Sequence, residues 1–220
     1  MYVLHCSPDS ASTIVRLALE ELGVPHECRV IDRAAGALDS PAYRAMQPMG
    51  LIPALETPDG PMFETGAILL YLTERHPGLA PAASDPGRAD WLSWFIFTNN
   101  SVHTTLMQMF YPHRVAGEDL AQAVQAGARA RMLGHLAHLE GKAATHPVWL
   151  SSDSPSLLGY YISVLMRWLA QSPPDAPAHI PSRDFPALRA ILADHETRPA
   201  ALAVAKAEGL GPTIFTNPAF

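Results

Sequence analysis

Charge is scarce in this chain and cysteine scarcer still. Only 16% of the 220 residues are charged, and 21 acidic against 15 basic side chains leave a formal net charge of −6 with histidine neutral. That balance excludes the basic footprint that non-specific nucleic-acid binding requires, so no nucleic-acid partner is expected. The two cysteines, Cys6 and Cys28, cannot build a disulfide framework, and a reducing, cytoplasmic setting is the expectation. No apolar run approaches the ~20 residues of a membrane span. Met1 leads straight into a strand pattern rather than a charged-then-apolar leader, so neither membrane nor secretory targeting is expected. Internal repeats are missing, and no strand pattern is visible after residue 86. His135-x-x-His138 could place two imidazoles on one helix face, but no third ligand or HExxH spacing accompanies them, so no metal is expected.

What is present is hydrophobic, at 48%, and enough chain for one large core or two small ones. Residues 2–6 read as a short apolar strand that runs into Ser7-Pro8-Asp9-Ser10 and then an amphipathic helix over 12–22. There Val15, Ala18, Leu19 and Leu22 recur at helical spacing and Gly23 is the stop. A strand over 27–31, a mixed segment over 39–47, strands over 53–57 and 61–63 and a helix over 65–75 follow. Thr57-Pro58-Asp59-Gly60-Pro61 supplies the turn between the last two strands. This order predicts an α/β layer over residues 1–76. Residues 77–86, with Pro77, Pro81 and Pro86 among small residues, read as a linker. Beyond it, helical patterns over 87–111, 117–144, 156–171, 184–195 and 198–208 predict an all-helical domain over 87–220. Its proline-rich stretch 172–181 can only be a loop.

Cys6 and Cys28 fall inside strand patterns, and each reads as a small apolar filler. Cys6 is followed by Ser-Pro-Asp rather than by a second cysteine two residues on. The helix that follows the Ser7-Pro8 turn is more suggestive. Its N-terminus carries unpaired N–H groups and about half a positive charge, which favours anions and thiolates. Ser10 and Ser12 are both reasonable N-caps there.

Three stretches together resemble the glutathione transferases, and most closely the bacterial beta class. The first is Ser7-Pro8-Asp9-Ser10-Ala11-Ser12 before Val15-Arg16-Leu17-Ala18-Leu19-Glu20-Glu21-Leu22-Gly23, where the beta class usually reads Ser-Pro-Gly-Ala-Cys-Ser. The second is Gln47-Pro48-Met49-Gly50-Leu51-Ile52-Pro53. The third is Glu64-Thr65, opening the helix that contains Ala67 to Leu72. Leu165-Met166-Arg167-Trp168 and the close from Arg198-Pro199 to Gly209-Leu210 extend the likeness over nearly the whole chain. In this register Ala11 stands where the class carries its cysteine, and Ser12 keeps the hydroxyl that follows.

The resemblance implies a thioredoxin-like domain with an all-helical one, a homodimer, and a transferase that activates the glutathione thiol for attack on a hydrophobic electrophile. Glutathione is then the co-substrate. Ser12, rather than Ser10, would donate to its sulfur. Ile52, before a cis Pro53, would offer backbone groups to its cysteinyl part. Glu64 and Thr65 would hold its γ-glutamyl ammonium and carboxylate, and His103 would be a further contact. Met107 and Phe110 would line the electrophile's place. Two other readings stand beside this one: a glutathione-dependent disulfide reductase or peroxidase, and a glutathione-binding homologue without turnover. One departure bears on stability. Where the family commonly has a Ser/Thr-x-x-Asp capping box, Ser156 is followed by Gly159. Gly159→Asp is expected on sequence grounds to raise the unfolding temperature.

Overall fold

The computed structural model describes residues 1–152 and 154–218, which divide into two compact units. The first holds Met1–Leu79 together with Pro199–Leu210, and the second Ala80–Arg198 with the residues from Gly211 on.

The first unit is built on a four-stranded sheet in the order β2-β1-β3-β4, with β1 (Tyr2–Cys6), β2 (His26–Val30), β3 (Ala54–Thr57) and β4 (Gly60–Phe63). β1 runs parallel to β2 and antiparallel to β3, and β3 and β4 form a hairpin. The parallel pair needs a crossover, and helix α1 (Ala11–Glu21) supplies it. Its buried stripe of Ile14, Val15, Leu17, Ala18 and Leu19 packs in a core with Leu4, Leu55, Ile68 and Leu69. Gly23 ends α1 in the left-handed region (φ 62°), which glycine enters without steric cost. The mixed segment resolves into a short helix α2 (Pro41–Met46), capped by Ser40 Oγ, which accepts from the Tyr43 amide at 3.2 Å. Helix α3 (Thr65–Arg75) closes this part.

The second unit opens with α4 (Arg88–Phe97), a π-helical stretch Thr98–His103 and α5 (Thr104–Phe110), which together fill the run expected over 87–111. The run expected over 117–144 begins differently. A short helix α6 (His113–Ala116) comes first, Gly117 at φ 77° breaks it, and α7 spans Ala121–Ala143. Helix α8 (Leu157–Gln171) is the buried centre of this unit, and even Arg167 is enclosed there, donating to the Ile214 carbonyl at 2.9 Å. Helix α9 (Pro186–Thr197) has its first amides satisfied at a distance: Glu140 accepts from Ala187 N at 2.8 Å and Leu188 N at 2.9 Å.

The division read from the sequence differs in one respect. Helix α10 (Pro199–Glu208) belongs with the first unit instead of the helical one. Its Glu208 is the reason: it accepts from the Asp9 amide at 3.0 Å and the Thr13 hydroxyl at 2.7 Å, both at the start of α1. Among the described residues, no helix is long and apolar enough to cross a membrane.

Candidate active site

Strand register brings three separate sequence stretches to one end of the first sheet. His5 lies opposite Ala54, and Ala54 lies opposite Phe63. The turn after β1, the residues just before β3 and the start of α3 just after β4 therefore share one edge. Those are the Ser7–Ser12 turn, Ile52-Pro53 and Glu64-Thr65.

In the turn, Asp9 takes a positive φ of 51°. Ser10 is the N-cap of α1, and Thr13 Oγ1 accepts from the Ser10 amide at 3.1 Å, completing a capping box. The two serine oxygens are 2.8 Å apart. Ser12 Oγ is fully enclosed: it accepts from Ser7 N at 3.1 Å and lies 3.1 Å from the Ser7 carbonyl, to which it can donate. Ser10 is only half-buried, and its hydroxyl donates to the same carbonyl at 2.7 Å. Register favours Ser12 as the donor to a ligand, whereas exposure favours Ser10.

The Ile52–Pro53 peptide bond is cis. Ile52 N–H and C=O have no hydrogen-bond partner among the described residues, so both remain open to an extended ligand. Tyr43 holds the approach to this bond by donating its hydroxyl to Leu51 O at 2.6 Å. Burial pushes the Tyr43 pKa up to about 12, with the nearby Cys6 adding to it, so the phenol stays a donor.

Glu64 is exposed and has φ 69° with ψ 117°, a conformation that costs a non-glycine residue about 1–3 kcal/mol. The first internal bond of α3 is Ile68 N to Glu64 O at 3.0 Å. The amides of Thr65, Gly66 and Ala67 are consequently unpaired among the described residues, as are the Thr65 hydroxyl and the Glu64 carboxylate. Free amides at a helix start beside a carboxylate suit a ligand that carries both an anion and an ammonium group.

His103, Met107 and Phe110 belong to the second unit. The Tyr161 hydroxyl donates to Asn99 Oδ1 at 2.9 Å and so accepts from His103 Nδ1–H at 2.8 Å. Burial lowers the His103 pKa to about 4, leaving a neutral ring with an Nε2 lone pair at pH 7. Met107 is 39% exposed and Phe110 half-buried on α5.

Sequence reasoning missed two supports of the site. Tyr43 carries no motif of its own. Glu208, which ties the Asp9 amide and Thr13 in place and pairs with Arg16 at 3.5 Å, lies almost at the far end of the chain. Its only signal was the family-like close in which it stands.

With this geometry in view, the comparisons are specific. Residues 4–80 match the family model of the glutathione S-transferase N-terminal domain. A sphingomonad glutathione S-transferase solved in complex with glutathione is 30% identical with a TM-score of 0.76, over 95% of this chain and 100% of that one. This chain belongs to the glutathione S-transferase family. A beta-class glutathione S-transferase structure from Sphingomonas chungbukensis is 26% identical with a TM-score of 0.75, covering 94% of this chain and 98% of its own. The glutathione S-transferase GST-4.5 of Xanthomonas campestris pv. campestris is 28% identical over 75% of this chain and 81% of its own length. The structure thus carries the family's thioredoxin-like unit and a helical part.

Proposed function

We propose that this glutathione S-transferase binds glutathione along the open end of its first sheet and activates the thiol for attack on an electrophilic carbon. The observation that carries the reading is the start of α3, where three amides, a hydroxyl and a strained carboxylate, all without partners among the described residues, converge. In this reading the Thr65 hydroxyl and the α3 amides bind the γ-glutamyl carboxylate. Glu64 binds the ammonium, and Ile52 pairs with the cysteinyl backbone as an added strand.

The sulfur then falls to the Ser7–Ser12 turn. Ser10 is the hydroxyl with access, so Ser10 is proposed as the thiolate donor, its one proton turning from the Ser7 carbonyl to the ligand sulfur. Ser12, enclosed 2.8 Å away, then keeps the Ser7 carbonyl satisfied at 3.1 Å. Lowering a thiol from a pKa of about 8.5 to about 6.5 takes roughly 2.7 kcal/mol of preference for the thiolate. One hydrogen bond to a charged acceptor contributes about 1.5–3 kcal/mol, and the α1 terminus adds to it. A single serine is therefore sufficient. In the helical unit, Met107 and Phe110 offer apolar surface suited to a hydrophobic second substrate. Exposed Met49, Leu51 and Phe63 on the first unit support a homodimer, which sedimentation of the full chain would detect and a monomer at all concentrations would refute.

The deciding experiment follows the ultraviolet absorbance of bound thiolate against pH, with turnover on an aryl halide beside it. Ser10→Ala should raise the bound thiol's pKa and cut turnover by about 10²-fold, the scale of a lost preorganised donor. Ser12→Ala should shift the titration less while lowering stability. If only Ser12→Ala moves the titration, Ser12 is the donor and the accessibility argument fails.

A further inference from the structure

The helical unit fixes one imidazole by more than packing. His103 ends the π-helical stretch Thr98–His103 between α4 and α5, and Asn99 stands four residues before it in the same stretch. Turns of this kind inside α-helices are frequent at functional sites. Both side chains reach one atom of α8. The Tyr161 hydroxyl donates to Asn99 Oδ1 at 2.9 Å and lies 2.8 Å from His103 Nδ1. A phenol has one proton, and here it goes to Asn99, so the proton of the second bond belongs to the imidazole. His103 therefore carries its proton on Nδ1. Tyr161 is fully buried, which shields this pair of bonds from competing water.

The other ring nitrogen is left with work to do. Nε2 has no partner among the described residues, and His103 is half-buried rather than enclosed. Burial lowers its pKa to about 4, so at pH 7 the ring is neutral and Nε2 is a bare acceptor. A glutathione thiolate does not suit that atom, since a lone pair would face a negative sulfur. Proton transfer to it from a thiol of pKa about 8.5 also runs uphill by about four orders of magnitude. What fits is a neutral donor. The neighbours are apolar and also reach the surface. The Trp168 ring lies 5.8 Å from that of His103, tilted by 47°, and Trp168 alone is half-buried on α8 between Leu157 and Ala170. Met107 follows His103 by one turn on α5 and is 39% exposed.

We propose that His103 sets the specificity of the second-substrate site, its Nε2 accepting a hydrogen bond from a hydroxyl or amide N–H on an aromatic electrophile. Tyr161 and Asn99 are positioning residues that hold the ring in the accepting tautomer. The proposal rests on the reading of the helical unit as the side that takes the second substrate, and it names what that side selects. Met107 and Phe110 offer apolar surface that any hydrophobic molecule satisfies. An oriented acceptor, by contrast, distinguishes a molecule with a donor from one without. No covalent step falls to His103.

Nitrogen-15 NMR of the histidine-labelled full-length protein reads the tautomer at pH 7, and His103→Phe identifies the His103 signals by their loss. A protonated Nδ1 with a bare Nε2 is the expected state. Calorimetric titration then compares two unreactive probes, 4-nitrobenzyl alcohol and its methyl ether, of which only the alcohol carries a donor. Wild type should bind the alcohol about 3–10-fold more tightly, the scale of one net hydrogen bond. His103→Phe keeps an aromatic ring without an acceptor and should bring that ratio to about 1. Tyr161→Phe removes the partner of Nδ1, so the ring should sample both tautomers and the preference should shrink. A purely structural loss at Tyr161 would lower stability without moving the tautomer. A proton on Nε2, equal affinity of wild type for the two probes, no binding of the alcohol, or a preference that survives His103→Phe would each overturn the proposal. Neither readout uses glutathione, so a failure of thiol activation shows separately, as absent turnover on the aryl halide.

Discussion

Replacing Gly159 should destabilise the helical unit, although Gly159→Asp would complete a capping box on paper. Ser156 caps α8, and its Oγ accepts from the Gly159 amide at 2.8 Å. A Cβ at Gly159 would lie 2.3 Å from His195 Cε1, 2.9 Å from Ser156 Oγ and 3.2 Å from His195 Nε2. His195 has little room to move. It is fully buried, stacks on Tyr160 at 4.5 Å, and its Nδ1 lies 3.3 Å from Ser163 Oγ. Replacing glycine by alanine inside a helix gains about 1 kcal/mol. Forcing a side chain into a packed site costs typically 1–3 kcal/mol, and displacing Ser156 threatens a cap worth about 0.5–2 kcal/mol. The sum favours loss, by about 0.5–4 kcal/mol for Gly159→Ala and more for Gly159→Asp. At roughly 2–4 °C per kcal/mol for a chain of this size, the midpoint should fall by several degrees. Thermal unfolding followed by circular dichroism reads this directly. An unchanged or higher midpoint in Gly159→Ala would show that His195 yields freely, and the close-packing argument would be wrong.

Glu64→Gln should weaken glutathione binding by about 1.5–3 kcal/mol through loss of the pair with the ligand's ammonium; calorimetric titration with unchanged affinity in a folded variant would rule out this placement. His103 should make stability fall on acidification. Its folded pKa of about 4 lies below the 6.5 of a free imidazole, so the unfolded chain binds more protons between those values. Stability is therefore full above about pH 6.5 and falls by up to roughly 1.4 kcal/mol per unit as the pH drops toward 4. His103→Gln should flatten that part of a urea-denaturation profile, and an equally steep profile in the variant would assign the effect elsewhere.

Elements whose cause is local were legible in the sequence. α1 was marked by its apolar spacing and by Gly23, and the β3–β4 hairpin by Thr57-Pro58-Asp59-Gly60. α3 was placed to the residue. What escaped depends on approach between distant residues. No local pattern places Glu208 under the Asp9 amide, 199 residues away, or His195 against Gly159. The capping-box argument at Gly159 weighed only the helix's own backbone, whereas in the structure a Cβ there would meet His195 of another helix. The two cysteines were read separately as filler, since nothing before strand pairing shows that they are diagonal neighbours. Between Ser10 and Ser12 the sequence offers only register, whereas the structure adds burial, and the two criteria point to different oxygens.

The turn also explains how the family's fold tolerates alanine at position 11. Its framework consists of Ser7 N and O with Ser12 Oγ, the Ser10 cap with Thr13, and Glu208 on the Asp9 amide. None of these bonds uses the side chain of residue 11. Exchanging cysteine for alanine there removes one sulfur and disturbs no structural hydrogen bond. The features that would hold glutathione are likewise backbone-built: the open Ile52 peptide and the free α3 amides. Binding and fold are thus separable from the chemistry at position 11, and only a step that needs a protein sulfur in this turn is lost. A hydroxyl can still stabilise the ligand's own thiolate, because that task needs a donor and not a nucleophile. The conjugation proposed for this chain needs no protein sulfur in this turn, whereas disulfide chemistry run by a cysteine there does.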